Sequence, residues 1–415
     1  MSILVERRAD PALLDKILAD IGHTGNAEEL HPVIQDLQCL IEGDLELLSG
    51  FKQMFSQVPL GSPYNVDPSG KPQVRDYHTM LRCFNHIIHH APSYDRTDFV
   101  AFPINAILNW PMATQAGLAM FLDPRVNDRL RVMFNVWSAF LASPESRYVL
   151  TEADDGWFGR YASEDMPNFI ETFVCEPEEE YYGFRSWDDY FTRMFRGGVR
   201  PVGSPEDDNV ITSACEHTSY RIAHDIAYQQ PFWLKGQPYS LRDMLASDPL
   251  ASEFVGGSIY QGFLSARNYH RWHTPVAGTI EKVVCVPGTY YAQSPEMAFG
   301  TPDGPDPSAP TDSQAYLTAT AARALIFIRA RNPRIGLMCF MAVGMTEVST
   351  CTPGVQVGDV LEKGDELGMF HFGGSTHCLL FRREVEVVFD EEVCGVRKDV
   401  RLNVAIARVG GGVAA

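Results

Sequence analysis

Gly373-Gly374-Ser375-Thr376 places a hydroxyl directly after two residues that have no side chain. A serine hydroxyl that attacks the carbonyl of the preceding residue turns an amide into an ester, and paired glycines let the backbone take up the strained geometry this needs. The bond exposed to that attack is Gly374 to Ser375. Taken alone, the tetrapeptide also reads as a flexible turn without chemistry. A second reactive stretch, Tyr269-His270-Arg271-Trp272-His273-Thr274-Pro275, carries two imidazoles suited to proton transfer near neutral pH. His86 and His90 fall one helical turn apart, but no acidic or cysteine third ligand accompanies them, and they read as a helix surface. Asp303 and Asp306 lack the alternating spacing of a calcium loop, so no metal is expected.

The elements that must position these residues change character along the chain. Asp10 before Pro11 starts a helix, Gly22 stops it, and Leu13, Leu14, Ile17, Leu18 and Ile21 recur between them at helical spacing. Pro32, Val33, Leu37, Leu40, Ile41, Leu45, Leu48, Phe51, Met54 and Phe55 continue the same period, and helix-like patterns run to about Leu150. Residues 1–175 therefore read as a helical N-terminal domain. The acidic run Glu176-Pro177-Glu178-Glu179-Glu180 reads as a solvated connection into a second domain, 181–415. From about Val210, short runs rich in Val, Ile, Thr and aromatic residues, such as Thr279 to Val286 and Glu384 to Phe389, alternate with Gly and Pro and predict strands. Gly300 to Pro310 reads as a loop. Val355 to Gly368 reads as two short strands around a glycine turn that deliver Phe370 to Thr376 at a strand end. The fold class is α+β.

The 415 residues are 45% apolar with a net charge of -19, which predicts a globular protein that repels nucleic acid and anionic lipid. Nine cysteines, odd in number and without a Cys-x-x-Cys pair, read as reduced thiols rather than disulfides or a zinc site. The longest apolar stretch, Ile335 to Met345, is too short to span a bilayer. A cytosolic protein without a membrane segment is expected.

Four segments resemble the phosphatidylserine decarboxylase family, in the family's order. Lys363 to Thr376 resembles its processing site, in which a Lys-Gly-x-Glu-x-Gly-x-Phe run ends in Gly-Ser-Thr. Phe184 to Arg193 with Arg200-Pro201 is similar to its Phe-Phe-x-Arg…Arg-Pro entry motif. Tyr269 to Pro275 with Gly278 is similar to its Tyr-His-Arg-x-His-x-Pro…Gly motif, and Val343-Gly344-Met345-Thr346 to its Val-Gly-Ala-Thr. The likeness covers roughly residues 181–389. The helical extension and the Gly-Gly-Ser-Thr form resemble the fungal branch that acts on free aromatic L-amino acids.

The resemblance implies a phosphatidylserine-decarboxylase-like catalytic domain that cleaves itself between Gly374 and Ser375. The ester eliminates and hydrolyses to leave chains 1–374 and 375–415 associated, with a pyruvoyl group made from Ser375 and no pyridoxal phosphate. Such a carbonyl condenses with a substrate amine and withdraws the electron pair left by departing carbon dioxide. The implied roles are His273 as the base that deprotonates Ser375 and His270 as a group of the decarboxylation site. His377, just after the processing site, either contacts a small amino-acid substrate or packs beside the strand, and Phe372 and Trp272 belong either to an aromatic substrate pocket or to the core. Typical members orient the cleavage histidine with an Asp in a Pro-x-Asp-Gly motif. Here Ile211 to His217 holds no Asp, and Glu216 either takes that part or is a solvated charge. The expected reaction is decarboxylation of an aromatic L-amino acid, tryptophan to tryptamine first. The alternatives are phosphatidylserine or a non-aromatic amino acid as substrate, or a non-catalytic barrel-sandwich binding module suggested by Val357 to Leu367.

Overall fold

A computed structural model describes residues 29–67, 70–96, 101–230, 239–294, 313–347, 350–372 and 375–410. The expected opening helix, the Gly300 to Pro310 loop, and Gly373 and Gly374 lie outside the described residues. The chain divides into two compact units, one of residues 1–171, 175–190 and 291–310, the other of residues 172–174, 191–290 and 311–415.

The first unit is helical, with α1 (Pro32–Gly43), α2 (Leu45–Ser56), α3 (Tyr77–Ile87), α4 (Pro103–Ala113), α5 (Gln115–Leu122) and α6 (Pro124–Leu141). Short polar side chains start the helices. Asp44 accepts from the N–H groups of Glu46 and Leu47 at α2, Asp76 from Thr79 at α3, Thr114 from Gly117 at α5, and Asp123, just ahead of Pro124, from Arg125 at α6. On α6 the buried residues Val126, Leu130, Met133, Phe134, Trp137 and Leu141 recur every three or four positions and form one apolar face. The single apolar period expected from Pro32 to Phe55 is in fact two helices. The Asp44 cap restarts the phase, so Ile34, Leu37 and Ile41 are buried from α1 whereas Leu45 is 83% exposed.

The second unit is β-rich. Its strands are β1 (Val210–Thr212), β2 (His217–Ala223), β3 (Ser258–Leu264), β4 (Arg271–His273), β5 (Gly278–Val286), β6 (Arg323–Ala330), β7 (Leu337–Gly344), β8 (Thr350–Pro353), β9 (Val360–Leu361), β10 (Glu366–His371), β11 (Ser375–Phe381), β12 (Val387–Phe389), β13 (Asp399–Val400) and β14 (Ala405–Val409). An antiparallel eight-stranded sheet runs β13-β2-β3-β11-β7-β6-β5-β9, beside two three-stranded sheets ordered β4-β10-β8 and β1-β14-β12. All eight residues of β7 are buried, which explains why its sequence is a continuous apolar run. The expected strand from Glu384 shortens to β12, because Arg382 to Val385 closes a turn. The expected glycine turn lies between β9 and β10, where Gly364 has φ +91°, a conformation that favours glycine.

Candidate active site

Ser375 opens β11, directly opposite Leu264 of β3 and Gly344 of β7. It is fully buried, and its Oγ has no hydrogen-bond partner among the described residues. Opposed residues of neighbouring strands share a face, so Ser375, His377 and Leu379 lie with Tyr260 and Phe340 on one side of the sheet. Two bulky residues near this strand end have left-handed backbone, Phe372 at φ +56° just before the two glycines and Thr346 at φ +52° just after β7. Such conformations persist only where the surroundings over-determine them.

His273 ends β4, opposite Glu366 at the start of β10. The glycine turn holds its ring, because Nδ1 lies 2.7 Å from the Gly364 carbonyl and can only donate there. That turn is tied to β4 by the Gly364 N–H on the Thr274 carbonyl and the Thr274 N–H on the Asp365 carbonyl. Nε2 keeps its lone pair and accepts from the Tyr269 hydroxyl at 3.0 Å. Burial lowers the affinity of His273 for a proton, against a smaller opposing effect of the Gly364 carbonyl, so the ring is favoured in its neutral, basic form. Arg271 between the two histidines donates from Nη1 to both Glu366 carboxylate oxygens, at 2.8 and 3.0 Å.

His270 is fully buried with its ring stacked on Phe191 at 3.9 Å, and its carbonyl accepts from the Phe370 N–H. Trp272 packs against Phe370 at 4.9 Å and Phe340 at 5.5 Å, and Phe340 stacks on His377 at 6.1 Å. The structure thus brings Trp272 and His377 onto one aromatic cluster, and sets His270 and His273 towards opposite ends of β10.

Residues 187–408 match the phosphatidylserine decarboxylase family, and residues 31–166 match a further domain of the same description. The chain belongs to the phosphatidylserine decarboxylase family. It is 44% identical to decarboxylase iboD of Amanita muscaria over 74% of this chain and 91% of that protein. It is 37% identical to the L-tryptophan decarboxylase of Psilocybe cubensis over 90% of this chain and 85% of that one. Against phosphatidylserine decarboxylase proenzyme 2 of Oryza sativa the figures fall to 26%, 68% and 40%. The chain is a decarboxylase of this family, in an α+β fold. No helix among the described residues is long and apolar enough to cross a membrane, and no group of three or more metal-binding side chains occurs among them.

Within this family member, Glu216 sits elsewhere than on the His273 ring. Its carboxylate pairs with Arg200 and accepts from the Leu402 N–H at 3.0 Å, while both ring nitrogens of His273 have the partners given above. The expectation that Glu216 orients His273 directly gives way to the Gly364 carbonyl, because the glycine turn brings a backbone acceptor to Nδ1 and Arg200 competes for the carboxylate. Sequence reasoning also passed over His217 and Tyr260. His217 Nε2 accepts from the Tyr260 hydroxyl at 2.6 Å, Nδ1 donates to the Cys215 carbonyl at 2.9 Å, and the ring meets His377 edge-on at 4.6 Å. Burial pulls His217 down to about 4 and His377 well below the usual range. The available signal was Gly262, since a Cβ there would stand 2.1 Å from the His217 ring.

Proposed function

We propose that this chain is a pyruvoyl-dependent decarboxylase of a free aromatic L-amino acid, with tryptophan to tryptamine as the leading reaction, matured by cleavage at Gly374-Ser375. The observation that carries the reading is Ser375 itself, a buried hydroxyl without a partner among the described residues, at the head of the strand that follows the two glycines. His273 accepts the hydroxyl proton, Oγ attacks the Gly374 carbonyl carbon, and the Gly374-Ser375 C–N bond breaks as the nitrogen regains a proton. Residues 375–415 stay with the rest because β11 is laddered along its length to β3 and β7.

A pyruvoyl group at position 375 supplies the carbonyl that draws electrons from the decarboxylating carbon. His377, two positions along β11 on the same face, meets Phe340, which packs on Trp272 and through it on Phe370, and this buried aromatic cluster supports an indole or phenyl ring as the substrate side chain. The His270 carbonyl accepts the Phe370 N–H, and Phe372 follows two residues later with its backbone in the left-handed region. Conversion of the fungal L-tryptophan decarboxylase's substrate by this chain is supported by the match along 90% of its length. Purified protein should resolve by mass spectrometry into chains 1–374 and 375–415 and release carbon dioxide from tryptophan without added pyridoxal phosphate. Turnover of phosphatidylserine vesicles with none of tryptophan, tyrosine or phenylalanine overturns the substrate assignment, and activity from an intact single chain overturns the mechanism.

A further inference from the structure

We propose that the helical unit carries a second small-molecule site, a cavity of about 300 Å³ that takes an aromatic ammonium ion. Trp157, Phe158, Met166, Phe169, Glu171 and Tyr182 line it, all in the first unit, whereas Ser375, His273 and the aromatic cluster around His377 belong to the second. Its volume stands at the lower end of the range of small-molecule sites, about 300–1,000 Å³. The walls are braced by one another. Phe158 stacks on Tyr182 at 4.0 Å and meets Phe169 edge-on at 5.7 Å. The fully buried Tyr190 stacks on Phe169 at 5.7 Å and tilts against Trp157 at 5.3 Å. Two lining residues hold left-handed backbone, Asn168 at φ +60° and Tyr182 at φ +55°, and the neighbouring Tyr181 does so at φ +56°. For a bulky residue such as Tyr182 this conformation persists only where the surroundings impose it, and such strain gathers at ligand sites.

Charge selects the ligand. Glu164 and Asp165 are occupied by Arg96 and Arg160, whereas the exposed Glu171 has no ion pair among the described residues, and no basic side chain is among the described residues that line the cavity. The Tyr182 hydroxyl donates to Glu152 at 3.3 Å, which sets a second carboxylate behind an aromatic wall. The adjacent ring already holds a cation, since the Arg147 guanidinium lies 4.7 Å over Tyr181. An anion would meet only like charge here, and a neutral apolar guest would cover Glu171 without pairing it. A cation with an aromatic body satisfies both features: the rings attract the charge and cover the apolar part, and the carboxylate pairs with the ammonium. An amino acid is zwitterionic, and Glu171 and Glu152 repel its carboxylate. Loss of that carboxylate leaves a cation, so the cavity fits the amine that decarboxylation releases; this link to the product, unlike the site itself, rests on the free-amino-acid reading above.

The test uses the full chain as Ser375→Ala, which neither cleaves nor turns over, so that binding is read apart from catalysis. Tryptamine is the probe in calorimetry, beside N-acetyltryptamine and tryptophan. Tryptamine should bind saturably, and N-acetyltryptamine, which lacks the charge, should bind roughly tenfold more weakly through loss of an ion pair and a cation–π contact together. Glu171→Gln should weaken tryptamine roughly fivefold. Phe169→Leu keeps an apolar wall and removes the ring, and should weaken it roughly threefold. Binding of tryptophan, confined to the decarboxylation site, should be moved by neither substitution. Absence of saturable tryptamine binding, or an affinity left unchanged by Glu171→Gln, overturns the site. If Phe169→Leu fails to fold, the exposed Glu171→Gln decides alone. Turnover assays of the wild-type chain judge the substrate separately: no turnover of any amino acid, beside Glu171-dependent tryptamine binding, removes the link to the product and leaves the site standing.

Discussion

The two faces of β11 carry opposite kinds of chemistry on one strand. On the first, Ser375 and His377 lie among Tyr260, His217 and Phe340, with imidazoles held neutral by burial and a hydroxyl without a partner among the described residues. On the second, Cys378 and Leu380 join a cluster with Ile259, Cys339, Met341, Leu325 and Phe327. Thr376 bonds there to Gln261 and to the Gly262 carbonyl. The second face fixes the register, and the register fixes where the first face places its serine, since a slip by one residue would exchange every side chain between faces. Stability and reactivity are therefore separable on this strand, although they share a backbone.

The sharpest way to break that comparison is to cut one side chain on each face. Ser375→Ala should abolish cleavage completely, leaving a single chain of 46.3 kDa by mass spectrometry, with little change in unfolding midpoint. Leu380→Ala, fully buried on the other face, should cost about 2–5 kcal/mol in chemical denaturation and still cleave at low temperature. Cleavage surviving in Ser375→Ala would sink the reading of the first face.

The second effect is graded with pH and belongs to the first face. His217 titrates near 4 in the folded protein, whereas an exposed histidine titrates near 6.5, so below about pH 6.5 the unfolded chain binds a proton that the folded one refuses. Stability should be full above that pH and fall as it drops, with His217 alone accounting for about 2 kcal/mol by pH 5. His273 and His377 add in the same direction. Urea titrations of Ser375→Ala at pH 7.5 and pH 5 measure the loss, and His377→Phe should lessen it. A stability that stays flat over this interval contradicts neutral buried imidazoles.

Much of this was legible in sequence because local signals agreed with tertiary structure. Apolar residues at helical spacing announced the helices, and a glycine turn ahead of the processing site and the apolar stretch that holds β7 were visible as such, whereas the Asp44 cap that divides Pro32 to Phe55 into two helices was not. What escaped depends on pairing between distant segments. Nothing near Glu216 in sequence says that Arg200 will hold it, and nothing near His273 says that a backbone carbonyl at Gly364 will reach its Nδ1. The same holds for His217 and His377, brought ring to ring only because β2 and β11 both flank β3.

The smallest effect tests whether the faces are separable even at adjacent residues. Thr376 follows Ser375 and points to the opposite side. Its hydroxyl donates to the Gly262 carbonyl at 2.9 Å and accepts from Gln261 Nε2 at 3.0 Å, and Gln261 Oε1 in turn accepts from Tyr239 at 2.6 Å. Thr376→Val keeps the shape and removes both bonds, yet Gln261 Nε2 still reaches the Gln314 carbonyl at 3.1 Å, so the loss should stay near 1–2 kcal/mol. Thr376→Ser keeps the hydroxyl and should recover most of it. Denaturation of both variants in the Ser375→Ala background compares single uncleaved species, and the same substitutions with Ser375 intact report cleavage. If the faces are independent, Thr376→Val cleaves at close to the wild-type rate despite its lower stability. A cleavage defect much larger than the stability loss, absent from Thr376→Ser, would mean that the Thr376 hydroxyl reaches the chemistry through the strand and that the division between the faces does not hold next to the serine.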